Sequence, residues 1–292
     1  MSQQTPWKSY RMGVLVDPAG ALFFLEDIDW DNSVVGKFYG SYNCPSQSLV
    51  QQIGDSQWLK RGNITVRRIG CFFIFLCSHS QDVVALLEQH TTVLHGRIII
   101  FRKGGIGLVL GELDFDQGCL WIRVTRLPLG RLDPGWAVQC LQHVGFVEKL
   151  NFQGSDLPNE PEYRAKVYFD FSIPLIPGCF VPLGEGQAIW VYFRYEGVFK
   201  FCKKCGLMGH YTSKCRTSDY QAYTRITCRL ERLGNAGFTT NFRPTHIPLY
   251  SNQIEGLLDK FRFRNIRINL LEMGLNVPEL FMGDNNDDDD DV

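Results

Sequence analysis

Apolar positions along residues 34–103 switch between a short and a long period. VVGKF (34–38) is a short apolar run of strand length, and Pro45 then opens PSQSLVQQIGDSQWLK, where Leu49, Ile53, Trp58 and Leu59 recur at helical spacing. NITVRRIG (63–70) alternates as a second strand. CFFIFLC (71–77) is a β-rich run that requires burial on one or both faces. Ser80 is placed to cap QDVVALLEQH, with Val83, Val84, Leu87 and His90 on one face. RIIIFRK (97–103) closes the unit as a fourth strand. The predicted order is β-α-β-β-α-β.

That order is the split arrangement of ferredoxin-like folds, which RNA-recognition domains also use. Residues 119–198 read as a second, mainly β region. Its strands are CLWIRVTRL, FVEKLNF, RAKVYFDFSI and AIWVYFRYEGV, and WAVQCLQHVG is a short helix ending at Gly145. The stretch 154–162 reads as a surface loop. Further on, DYQAYTRITCRLERLG is an amphipathic helix stopped by Gly234. In IEGLLDKFRFRNIRINLLEMG, the residues Ile254, Leu257, Leu258, Phe261, Ile268 and Leu271 form a helical stripe. Lys260, Arg264 and Arg267 form a second, basic stripe, read either as a solvated face or as a phosphate contact.

Between the last strand and the first of these helices lies CKKCGLMGHYTSKC (202–215). Cys202 and Cys205 are two residues apart, and His210 and Cys215 each follow after four more. Three thiolates and an imidazole are the four donors of a tetrahedral structural zinc. Gly206 and Gly209 fall where the chain must bend back around the ion. So small a loop has almost no core, so metal supplies most of its folding energy, on the order of 10 kcal/mol in comparable peptides. One structural Zn²⁺ is expected, with every coordination position filled by protein and none left for catalysis.

The expected fold class is therefore α+β: an RNA-recognition-like βαββαβ domain, a second mainly β region, and a small zinc knuckle followed by helices. The corresponding boundaries are an N-terminal extension (1–33), the α+β domain (34–112), the β-rich region (113–199), the knuckle (200–216), a helical region (217–283) and an acidic tail (284–292).

Charge sharpens this picture modestly. The net −1 conceals −3 over residues 1–33 and −6 over the tail, where Asp284 and Asp287–Asp291 are expected to be disordered, leaving +8 between them. A basic body between acidic ends suits a polyanion partner. No apolar run reaches the ~18 residues of a membrane span, and the first residues lack the apolar core of a signal peptide. An intracellular protein, nuclear or cytoplasmic, is expected, with its other seven cysteines reduced and mostly buried.

The matching blocks VVGKFYG, GCFFIFLCSHSQDVVALLEQ, VLHGRIIIFRKG, WIRVTRLPL with Trp136, and AIWVYFRYEGVFKFCKKCGLMGHYTSKC resemble a known family. The resemblance, over about residues 34–216, is to proteins of plant LINE-type retrotransposons and their host-genome relatives. These join a domain of unknown function to a C-x2-C-x4-H-x4-C knuckle. It implies an RNA-recognition-like domain, zinc, nucleic-acid binding and no catalysis. Two departures stand out. In RIGCFFIF, Gly70 takes one position where a base-stacking aromatic is expected, while Phe72 fits the other. In the knuckle, Lys203 stands where an aromatic would stack a base, leaving Tyr211 or Phe201 as substitutes.

Lys200, Lys203, Lys204, Lys214 and Arg216 suit phosphate contacts, which give affinity without sequence choice; the alternative is that they only keep a small exposed module soluble. Enzyme motifs are missing: GGIGLVLG has Leu110 where a dinucleotide loop needs its third glycine, and no P-loop, H-E-x-x-H or G-x-S-x-G occurs. His79, His90, His95, His143 and His246 lie outside any pattern. The expected protein is non-catalytic and binds single-stranded RNA or DNA. The competing expectation is a protein-interaction scaffold whose knuckle docks a partner.

Overall fold

The computed structural model describes residues 28–40, 44–57, 60–152 and 157–238, and the backbone of 267–269. Among them the apolar patterns resolve into two antiparallel sheets and four α-helices. The first sheet contains β1 (Ser33–Phe38), β2 (Ile64–Ile69), β3 (Phe72–Cys77), β4 (Thr91–Leu94) and β5 (Arg97–Lys103), in the order β2-β3-β1-β5-β4. Helices α1 (Gln47–Asp55) and α2 (Ser80–Gln89) connect β1 to β2 and β3 to β4.

Alternation along each strand sorts side chains to two faces. Val34, Phe38, Phe73, Phe75, Ile99 and Phe101 meet Val50 and Ile53 of α1 and Val83 and Leu86 of α2 in one core. Both helices are held by satisfied polar groups. Ser46 caps α1 by accepting from the Leu49 amide at 3.3 Å. The buried Asp82 carboxylate accepts from the Arg61 and Gly62 amides at 2.7 and 2.9 Å.

Three readings of this region need correction. The cap of α2 is His79, whose Nδ1 accepts from the Gln81 amide at 3.2 Å, so Ser80 is already helical. The helix is also rotated: Asp82, Val83 and Leu86 face inward while Val84 is 51% exposed, because the Asp82 carboxylate is drawn in by the two amides it serves. And RIIIFRK is the fifth strand rather than the fourth. TTVL (91–94) forms a hairpin with it around His95 and Gly96, both at positive φ (47° and 69°). Trp58 and Leu59 lie outside the described residues.

The second sheet contains β6 (Gln117–Thr125), β7 (Phe146–Leu150), β8 (Glu162–Asp170), β9 (Gly178–Gly184), β10 (Gln187–Tyr195) and β11 (Arg267–Asn269). Its order is β11-β10-β6-β8-β7, with β9 on the opposite edge of β10. Helix α3 (Pro134–Gln142), capped by Asp133, sends Ala137, Cys140 and Leu141 into the core formed by Ile122, Val124, Ala165 and Val167. β9 runs through Pro182, which an edge strand tolerates because no donor is needed on its open side. β11 corrects the helical stripe expected around Ile268: Arg267–Asn269 pair antiparallel with Gln187–Ile189 of β10. The rest of that stripe (Ile254, Leu257, Leu258, Phe261, Leu271), its basic companions Lys260 and Arg264, and the acidic tail lie outside the described residues.

The two sheets share one core. Val35, Ile74, Ile98 and Ile100, on the face of the first sheet away from its helices, are 0–7% exposed and join Phe115 and Phe171. Phe72 meets Phe115 with ring centroids 5.9 Å apart, and the Lys37 ammonium lies 5.4 Å from the Phe72 centroid and 5.5 Å from that of Phe115. Arg102 donates to the carbonyls of Asp114 (2.7 Å) and Gln117 (2.6 Å). The Tyr39 hydroxyl donates to the Phe171 carbonyl at 2.6 Å, and the Thr91 hydroxyl donates to the Cys119 carbonyl. CFFIFLC is thus buried on both faces, and Phe72 is a junction residue.

Candidate metal centre

β10 ends at Tyr195, where the Glu196 amide donates to the Trp121 carbonyl at 2.8 Å. Gly197 turns the chain at φ 77° and delivers it into the knuckle. Phe201 and Met208 then pair as an isolated antiparallel bridge. The Cys202 amide donates to the Leu207 carbonyl (3.0 Å), and the Gly206 amide to the Cys202 carbonyl (2.9 Å). Gly206 and Gly209 have φ of 74° and 89°, in the left-handed region that glycine enters without strain. A 3-10 turn at Thr212–Lys214 brings Cys215 back, and the Lys203 amide donates to the Thr212 hydroxyl at 2.9 Å.

The result places one donor atom each of Cys202, Cys205, His210 and Cys215 within 4.8 Å of one another. A tetrahedral zinc with Zn–S near 2.3 Å requires sulfur–sulfur edges of about 3.8 Å, so small side-chain adjustments bring the set onto the ion. Donor chemistry and spacing both fit Zn²⁺, which would hold the two arms of the loop together. Cys202 and Cys205 are fully buried, whereas His210 and Cys215 are partly exposed, which gives the ion an inner and an outer side. Without a cation the thiols are unequal. Burial pushes Cys205 up to about 12. Burial also opposes ionisation of Cys215, but hydrogen bonds with His210 and Thr217 outweigh it and bring that thiol down to about 6. Metal entry must therefore displace a proton from Cys205, and a bound dication supplies the charge that does so.

The centre is tied to the body at three points. The Leu175 amide donates to the Gly206 carbonyl at 2.9 Å, and Met208 is buried in the shared core. Gly209 lies against Gly40 at the end of β1, so closely that a Cβ on Gly40 would sit 3.0 Å from the Gly209 Cα. Helix α4 (Asp219–Asn235) adds a strap. Ser218 and Gln221 form a reciprocal cap at its start, Ala222 packs on Cys202 and Cys205, and Leu233 reaches the shared core. The helix runs one residue past Gly234, the expected stop.

Of the expected nucleic-acid residues, Lys214 and Arg216 are exposed, Lys200 and Lys203 are half-buried, and Tyr211 is 49% exposed. Lys204 is paired with Asp219 of α4 at 3.0 Å, which ties it to the helix start. Phe201 is half-buried against the shared core.

A second group of donors is not legible from spacing: His90, Cys119 and Glu148 converge within 4.8 Å where β4 and β6 meet. The Lys166 ammonium sits 3.1 Å from Glu148 and donates to the Glu88 carbonyl at 2.5 Å, and His90 Nε2 is 3.4 Å from Glu148. Lysine already supplies the positive charge there, so the cluster reads as a polar clasp between the sheets. Among the other cysteines, Cys77, Cys119 and Cys140 are buried, Cys44 and Cys179 half-buried, and Cys71 and Cys228 exposed, so the expectation of mostly buried thiols fails for four of seven. All ten cysteines are free thiols.

Comparison with known proteins fits this geometry. Residues 169–217, which run from the end of β8 through the last ligand, match the family model of a zinc knuckle. The chain is also similar to an uncharacterised protein of Arabidopsis thaliana, with 19% identity over 152 residues, 52% of this chain and 48% of that protein. The chain thus spans about half the length of the curated relative it matches. No helix among the described residues is long and apolar enough to cross a membrane.

Proposed function

We propose that the chain is a zinc-dependent, non-catalytic binder of single-stranded RNA or DNA, acting inside the cell, with phosphate contacts at the knuckle. One observation carries this reading. A four-donor centre buries two of its thiols against the body while Lys214, Arg216 and Tyr211 face solvent around the other two donors. A metal-stiffened loop presenting cations offers phosphate a preorganised surface.

In the same reading the first sheet derives from an RNA-recognition-type domain of retroelement origin. Its order β2-β3-β1-β5, with α1 and α2 on one face, is the split βαββαβ arrangement and supports the fold part of that reading. Its opposite face is covered by Phe115 and Phe171, so the knuckle carries the contact. A specific observation favours the scaffold reading: Tyr220 and Tyr223, 79% and 51% exposed on α4, offer aromatic surface to a protein partner.

The test is fluorescence anisotropy of labelled single-stranded RNA and DNA across a salt series, with zinc-loaded wild type, Cys205→Ser and a Lys203→Gln/Lys214→Gln variant. Binding with a steep salt slope that both variants weaken supports the proposal. A folded, zinc-loaded wild type that binds neither probe near physiological salt sinks it in favour of the scaffold.

A further inference from the structure

Four chain segments meet beside the knuckle and leave a shallow notch: the end of β1, the β4–β5 turn, the linker after β10, and Met208–Gly209. Four of its lining residues are glycines. Gly40, Gly96, Gly197 and Gly209 all have positive φ, between 69° and 89°, and their missing side chains let the segments close on one another: Gly40 against Gly209, Gly96 against Phe199 and Gly197 against Val93.

Phe199 stands at the rim. Its ring carbons come within 3.3 Å of where a Gly96 Cβ would be, which fixes it on the hairpin turn, yet it remains 65% exposed. The same rim carries Arg97 and Lys200, and the notch runs directly into the metal loop through Gly209. An exposed, backed phenyl ring flanked by two cations is the combination that single-strand binders use, with a ring for a base and cations for the flanking phosphates.

We infer that this rim is a single-nucleotide subsite: one base stacks on the outer face of Phe199, and Arg97 and Lys200 meet the adjacent phosphates. This deepens the proposed function and rests on it. The strand would pass from the subsite onto Lys203, Lys214 and Arg216, so that stacking and phosphate binding are contributed by separate parts of one path. The aromatic missing after the first knuckle cysteine is thereby replaced from outside the knuckle.

The experiment titrates full-length, zinc-loaded protein into fluorescein-labelled mixed-sequence single-stranded RNA and DNA, comparing wild type with Phe199→Ala and Phe199→Trp at several salt concentrations. Base–aromatic stacking predicts roughly tenfold weaker binding for Phe199→Ala, with an unchanged salt slope because no charge is removed, and retention by Phe199→Trp. Thermal melts of the variants establish that this exposed position leaves the fold intact. Unchanged affinity in Phe199→Ala, or a reduced slope, overturns the subsite while leaving phosphate-directed binding in place. No binding by wild type overturns the subsite and the proposed function together.

Discussion

The first sheet and the knuckle hold their shape with opposite resources. The sheet draws on five strands and two helices packed around apolar side chains. It buries Phe73, Phe75 and Ile99 against its helices and Val35, Ile74 and Ile100 against the second sheet. Having two partners, it is left with little free face, and along its outer strand Thr65, Arg67 and Ile69 remain exposed. The knuckle has almost no core and depends on four donors, yet that poverty leaves its outer side open. A strand order associated with binding therefore does not locate a binding surface. What is exposed, charged and held rigid does.

The largest effect that separates the two regions is metal removal. Chelation, or Cys205→Ser, is expected to cost the knuckle on the order of 10 kcal/mol of local stability and to release the start of α4. Amide exchange would read this as rapid labelling at Cys202, Gly206 and Gly209 with β1, β3 and β5 still protected. Loss of protection in those strands as well would mean the regions are one cooperative unit.

Next is the converse. Phe73→Ala, at a fully buried ring, is expected to destabilise the body by about 3–5 kcal/mol. Phe72→Ala, at a half-covered ring, is expected to cost less than half as much. Chemical denaturation measures both, and zinc content per folded chain should stay at one. If Phe72→Ala instead abolishes oligonucleotide binding without a large drop in stability, the sheet face is active after all.

A smaller effect isolates charge. Replacing Lys203 and Lys214 by glutamine should lower the log–log salt slope by roughly 0.7 for each phosphate no longer neutralised, without moving the thermal midpoint. A midpoint shift would assign these lysines to folding.

The smallest is a pH effect at the clasp. Burial lowers the affinity of His90 for a proton below its ordinary value of 6.5, and Lys166 and Arg102 push the same way against Glu148. The unfolded chain takes up that proton near 6.5 while the folded chain resists. Stability is then constant above that pH and falls as the solution is acidified below it, until the folded imidazole also protonates. Thermal midpoints of wild type and His90→Asn between pH 7.5 and 5.5 should differ in slope, with the variant flatter.

Much of this architecture is legible in the chain. Short apolar and β-rich runs place β1 and β3, alternation places β2, strand-like segments mark β6, β8 and β10, and spacing alone picks out Cys202, Cys205, His210 and Cys215. What escapes has identifiable causes. TTVL is short and half polar, so it carries too little pattern to mark β4. Pro182 argues against a strand at β9 because edge position is a tertiary fact. Arg267–Asn269 sit in a run whose apolar spacing also fits a helix, and pairing with β10 decides otherwise. The covering of Phe72 by Phe115 depends on a residue 43 positions away along the chain, which no local period encodes. The rotation of α2 turns on Asp82, a polar residue that pattern reading sends outward.

Gly40 and Gly209 face each other backbone to backbone, 169 positions apart, and neither can gain a side chain without moving the other. The ligands preserve a zinc-binding loop wherever it is attached, but this pair preserves its seat. Among homologues the two should therefore drift together: lineages in which the loop keeps its cysteines and loses both glycines would carry the module as a free appendage. Lineages retaining both would carry it fixed to the body, which gives a two-letter marker for telling the architectures apart from sequence.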